Sequence, residues 1–167
     1  MKHTDWQLDR NDGVAFAANE DVGFMVWSAP ATVERGHWLG LCVEGWLAQR
    51  AGDVVVVQVI LATSKPPDAA TRADARQFIN RVAPRLRRLI TLPIGNELWS
   101  VLVRMVLRGL NLFGRELDSV AVASVEAAIA AVDDVRPLSA GERRELTEML
   151  HKLVRVDALL AERRAVV

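Results

Sequence analysis

The sequence predicts an α/β protein: a mixed β-sheet with an N-terminal hairpin and a parallel centre, flanked by helices, plus a C-terminal helical extension. Three observations carry this. Asp53–Leu61 (DVVVVQVIL) is almost continuously apolar, as expected of a central strand buried on both faces. Asn11-Asp12-Gly13 joins two short extended runs, a hairpin signal. Beyond the hairpin, strand-like runs alternate with helical periodicity, the pattern of β-α units around a parallel sheet.

Trp6–Arg10 and Val14–Ala18 are the arms of the hairpin. Val22–Ser28, rich in aromatic and β-branched residues, is a third strand. Pro30 suits a helical first turn, and a helix is predicted over 31–50, with Gly52 past its end. After the apolar strand, Pro66-Pro67 forbid a helix before Asp68, whose charge suits an N-terminal turn. That helix is expected to run to about Arg87 unless Pro84 kinks or shortens it. Leu89–Ile94 is the next strand. Asn96 as N-cap and Glu97 in the first turn open a helix over Glu97–Phe113. Ser119–Ala123 is the last strand, and Ser124 caps a helix over Val125–Val132. Ser139 with Glu142 forms a capping box that opens a final helix of about 20–25 residues. Residues 1–137 are expected to form the α/β domain, and 138–167 a helix packing on it or on a partner.

The 167 residues carry 21 basic and 21 acidic side chains and are 51% hydrophobic. This excludes a disordered tail. It also argues against a dedicated nucleic-acid binder, whose domain is strongly basic. One cysteine cannot pair within the chain, and Cys42 suits a reducing cytosol. No apolar run follows the first residues, MKHTDWQLDRND, so no signal peptide is expected. The most apolar stretch, Leu98–Phe113, contains Arg104 and Arg108, each costing about 2.5–3.5 kcal/mol in a bilayer centre. A cytoplasmic protein without a membrane span is expected. All positive charge except Lys2, Lys65 and Lys152 is arginine, which fits a GC-rich bacterial coding bias.

Chemistry is sparsely signalled. His3, His37 and His151 have no second ligand at metal spacing. No G-x-S-x-G, P-loop or G-x-G-x-x-G occurs, so no catalytic, cofactor or metal residue is named. Cys42, between Leu41 and Val43, reads as a small core residue. Lys65–Arg88 holds seven basic residues against Asp68 and Asp74. Arg72 and Arg76 share one helix face there, either as a docking surface or as solvated arginines. Gly36 and Gly40, four apart, suggest close helix packing.

The helix over 97–113 stands out. Glu97, Ser100, Arg104, Arg108 and Asn111 draw one narrow polar stripe, and nearly everything else is apolar. A helix lying on a sheet needs an apolar face of roughly 100°. The excess calls for cover by the C-terminal helix, through its stripe Leu146, Met149, Leu150, Leu153 and Leu160, or by a partner or second copy. Trp99, Val103, Leu107 and Leu110, with Arg104, Arg108, Arg72 and Arg76, are the interaction candidates.

Three segments together resemble bacterial STAS-like proteins, distantly similar to the STAS domains of anti-sigma-factor antagonists. They are Lys65-Pro66-Pro67-Asp68 with Arg72, Gly95-Asn96-Glu97-Leu98-Trp99 through Leu110, and Val122-Ala123-Ser124-Val125-Glu126-Ala127-Ala128. The resemblance covers roughly residues 10–135. It implies a β-sheet flanked by helices and a regulatory role in protein–protein interaction. The Asp-Ser-like phosphorylation signature of those antagonists is absent, and Ser64 and Thr71 are positional candidates only. The expected function is therefore a non-enzymatic regulatory or scaffolding module that binds a protein partner or itself. The alternatives are a domain for a small apolar ligand or lipid, held between the apolar helix and the sheet, and an enzyme with an unrecognised site.

Overall fold

The computed structural model of the chain describes residues 5–62, 66–111 and 117–166, and of residues 106–111 the backbone alone. Its strands are β1 (Gln7–Asn11), β2 (Val14–Ala18), β3 (Val22–Trp27), β4 (Val54–Leu61), β5 (Leu86–Ile94) and β6 (Ser119–Ala121). Its helices are α1 (Val33–Ala48), α2 (Ala69–Val82), α3 (Glu97–Asn111), α4 (Val125–Asp133) and α5 (Ala140–Ala165). The strands stand side by side in the order in which the chain makes them. β2 runs antiparallel to both β1 and β3, and β3, β4, β5 and β6 run parallel. The predicted fold class, mixed sheet with N-terminal hairpin, parallel centre and C-terminal helix, is the observed one.

The hairpin turns at Gly13, the one described residue with positive φ (82°). A side chain there would run into Ala29, because the Gly13 carbonyl accepts the amides of Ser28 and Ala29 at 2.9 and 3.1 Å.

Strand alternation gives the sheet two apolar faces. Phe24, Val57, Ile90 and Leu92 pack with Ile129 of α4 and with Leu150 and Leu153 of α5. Phe16, Met25, Val56 and Leu89 point the other way, toward Val43 and Trp46 of α1. Parallel strands laid down consecutively, with right-handed crossovers, put the connecting helices on a single face. α1, α2 and α3 therefore share one side and α4 and α5 the other.

This placement overturns the expectation that the C-terminal helix covers the over-apolar one. α5 buries Leu146, Leu150 and Leu153 on the face opposite α3. It is tied to the hairpin side by Trp6 Nε1 donating to Glu145 (2.9 Å), Arg10 to Asp157 (3.1 Å) and Arg164 to Asp12 (2.9 Å). Its predicted capping box is present: the Glu142 amide donates to Ser139 Oγ at 3.2 Å and the Ser139 amide to Glu142 Oε2 at 2.9 Å.

Element ends differ where tertiary contacts win. α1 starts after Thr32, whose hydroxyl accepts the Arg35 amide. Pro30 lies outside it, its carbonyl holding Arg35 Nη1 at 2.8 Å. α2 ends at Val82, and Pro84 sits in a 3-10 turn over Ala83–Arg85. Leu86 and Arg87, inside the predicted helix, instead begin β5 with Arg88, and Leu86 and Arg88 pair with β4. Their arginines bind carbonyls at the sheet's end: Arg87 that of Val135 and Arg88 that of Ala131. β6 keeps three of the five predicted residues, and the predicted end of α3 lies outside the described residues. No described helix is long and apolar enough to cross a membrane.

Candidate functional site

α1 and α2 are keyed together by the two glycines. A Cβ on Gly40 would touch the Phe78 ring at 3.5 Å, and one on Gly36 would lie 3.4 Å from Asp74 Oδ2. His37 Nε2 is 2.8 Å from Asp74 Oδ1 across the same seam. The close packing read from the glycine spacing is thus present at Gly36 and Gly40, while Gly45 faces open space.

α2 packs on α1 along that seam, and its own buried residues, Thr71 and Val82, lie at its ends. Asp68 caps its start, accepting the Thr71 amide at 2.8 Å. Hydrogen bonds from the Thr71 amide and then its hydroxyl hold the Asp68 carboxyl below its usual range. Between those residues α2 offers Asp74, Ala75, Phe78 and Ile79, all half-buried, with Phe78 packed against the α1-side core. A cavity of about 160 Å³ remains beneath it, walled by α1 and α3. Its floor is Met25, Val56, Gln58 and Ile60, its roof Ala75, Phe78 and Ile79.

Gln58 is the polar group in that floor. It stands in register between Met25 on β3 and Thr91 on β5. It occupies the alternate position after Val54 and Val56, hence the same face. Among the described residues, its side-chain amide has no hydrogen-bond partner within the protein. The helices above β4 leave it half-buried and open to the cavity.

α3 forms the far wall. Asn96 caps it as predicted, Oδ1 accepting the Trp99 amide at 2.9 Å. Trp99 turns inward, and its indole donates to the Ile60 carbonyl at 3.2 Å. Gly95 makes room for it: a Cβ there would lie 2.8 Å from the ring and 2.8 Å from Ala62. Val103 is 5% exposed and also lines the cavity. Both residues belong to the inner face of α3, which corrects their placement on an outward interaction face. The outward face carries Leu98 (80% exposed), Val101, Leu102 and Met105 (62%), at i, i+3, i+4 and i+7, with Leu102 at the boundary where it also lines the cavity. Arg104 borders it, its Nε donating to the Ser100 carbonyl at 3.1 Å. The side chains of Leu107, Arg108 and Leu110 lie outside the described residues.

The arginine-rich segment is dispersed. Arg72 closes on the Pro67 carbonyl at 2.7 Å, Arg81 pairs with Glu44 at 2.9 Å, and Arg85 holds the Arg50 and Gly52 carbonyls. Arg76 is half-buried. Ser64 lies outside the described residues. Thr71 is buried beneath the cap of α2.

Among the described residues, no three His, Cys, Asp or Glu side chains form a group that could hold a metal. His37–Asp74 and His151–Glu126 are single exposed pairs on opposite faces. Cys42 packs against the α1 core, and burial raises its thiol pKa. Reading the residues missed Gln58. The available signal was a glutamine inside VVVVQVIL, the one polar side chain in the most apolar strand.

No protein-family model matches the chain, and neither a curated protein nor a solved structure proves similar to it.

Proposed function

We propose that the protein is a non-enzymatic regulatory or scaffolding module that works by docking a protein partner on the outward face of α3. The observation that carries this is the exposed stripe Leu98, Val101, Leu102 and Met105. Exposed contiguous apolar surface on a soluble domain marks an interaction site. The STAS-like resemblance supports the regulatory part of the reading.

The stripe is one helix wide. A stable dimer buries roughly 800 Å² per partner, more than four side chains on one helix supply. The better match is a single amphipathic helix laying its own i, i+3, i+4, i+7 anchors along α3. Arg104 at the border favours an acidic residue at its edge.

A photo-crosslinking amino acid at Met105, introduced into the full-length protein in its native host, tests this. One discrete protein adduct is expected. It should be lost in Leu98→Asp and absent when the same group replaces the exposed Glu148 on α5. Leu98→Asp should leave stability within about 0.5 kcal/mol, as for other surface changes. No adduct at 105, or the same adducts from 148, would overturn the reading. An adduct of twice the chain mass would replace the partner helix with a second copy.

A further inference from the structure

The geometry points to a second binding site, on the inner side of α3 and sharing only Leu102 with the outward stripe: the cavity beneath α2 takes a small neutral apolar molecule of about one or two fused rings, held by one hydrogen bond to Gln58. Three independent features support this.

The first is size and lining. Natural cores are packed with few voids larger than a water molecule. An enclosed apolar cavity of roughly 150 Å³ admits benzene; this pocket, partly open to solvent, holds about 160 Å³. Met25, Val56, Ile60, Phe78 and Val103 offer it almost nothing but carbon.

The second is Gln58. It is a half-buried polar side chain on a central strand that faces the cavity, where a ligand can take the place of water on its amide. Its amide donates and accepts, so a ligand hydroxyl, ring N–H or carbonyl would satisfy it. Apolar pockets with a few convergent polar groups are the usual form of small-molecule sites.

The third is charge. Asp74 is the ionisable group lining the cavity, and it already pairs with His37 on the outer side. A carboxylate on the wall disfavours an anionic ligand, which sets fatty acids and aromatic acids aside in favour of neutral molecules. Construction of the helix layer is consistent: α2 spans the gap from Thr71 to Val82 with the small Ala75 at its centre, so the space is bridged rather than filled.

Indole, phenol, benzene and benzoate are the probes, added to the intact protein and followed by isoleucine methyl NMR and calorimetry. Indole and phenol should shift the methyls of Ile60 and Ile79 with saturable binding, and benzoate should bind at least tenfold more weakly than phenol. Gln58→Leu should weaken indole and phenol by about 3–10-fold, the worth of one hydrogen bond, and leave benzene unchanged. Ala75→Phe, which fills the roof, should abolish all binding. Absence of any saturable shift at Ile60 and Ile79 in the unaltered protein overturns the proposal and needs no variant to fold. Binding that survives Ala75→Phe, or a Gln58→Leu loss equal for benzene and indole, overturns it as well.

Discussion

The two faces of the sheet are built from the same strands and finished differently. On the α4/α5 side, Phe24, Ile90, Leu92, Ile129, Leu150 and Leu153 are all fully buried, or nearly so, against one another. On the other side, α1 is packed as tightly, with Trp46 fully buried and its indole donating to the Asn19 carbonyl at 2.7 Å. The filling stops where α2 and α3 take over. The difference lies in what the helices bring. α5 supplies a regular leucine stripe that is fully buried against the sheet, whereas the middle of α2 supplies an alanine and residues that are only half-buried, over the cavity. A packed face reads as stability, and a bridged face reads as function.

The sharpest test of this contrast is deletion on the packed face. Leu150→Ala should cost about 2–5 kcal/mol, read from denaturant midpoints at unchanged slope. A cost below about 1 kcal/mol would mean that the face is loosely packed after all.

Enlargement should then have opposite signs on the two faces. Ala128→Leu, at a fully buried position of α4, should destabilise by about 1–3 kcal/mol through overpacking. Ala75→Leu, over the cavity, should stabilise by about 0.5–2 kcal/mol, as cavity filling commonly does. Equal losses from both would erase the distinction.

Arg10→Ala should cost about 1–3 kcal/mol by thermal or denaturant unfolding, because Asp157 is left buried without its partner. Burial already pushes the Asp157 carboxyl up, with the Arg10 charge opposing it. No measurable cost would show that Asp157 protonates and is otherwise indifferent to Arg10.

The smallest effect belongs to the α5 cap. Glu142 accepts from the Ser139 hydroxyl, the Ser139 amide and Arg136, in that order of weight, and its pKa falls from 4.5 to about 2. A lowered folded pKa makes its contribution complete above pH 4.5 and lost as pH falls toward 2. Melting temperature should therefore drop over that window, and Glu142→Gln should flatten the drop slightly. An identical acid limb in the variant would assign the loss to other carboxylates.

Much of this architecture was legible because local signals agreed with the fold. Asp12-Gly13, the run Val54–Leu61, and the caps Asp68, Asn96, Ser124 and Ser139 each act within a few residues. The boundary at Leu86 was not legible, because Leu86 and Arg87 continue the helical run until β4 pairs with Leu86 and Val135 offers Arg87 a carbonyl from forty-odd residues away. The side taken by α5 was equally hidden. An apolar stripe states that a helix is covered and says nothing of which face of the sheet covers it. For the candidate site, the excess apolar surface of α3 was visible in the spacing, but its division into an inner half (Trp99, Val103) and an outer half (Leu98, Val101, Leu102, Met105) needed the sheet in place.

Consecutive strand order also sets a timetable. The α1 side joins β2, β3, α1 and β4, all within residues 14–61, so its contacts close short loops. The opposite face waits for α5, because Trp6 meets Glu145, Arg10 meets Asp157, and Asp12 meets Arg164 across nearly the whole chain. Closing such long loops is the slow part of folding, and a chain leaving the ribosome makes α5 last. The expected sequence of events is early protection of the α1 side and late arrival of the hairpin clasp. Pulse-labelled hydrogen exchange during refolding, comparing amides of β4 and α1 with those of β1 and α5, should show the first pair protected first. Simultaneous protection of all four would mean that the clasp forms with the core.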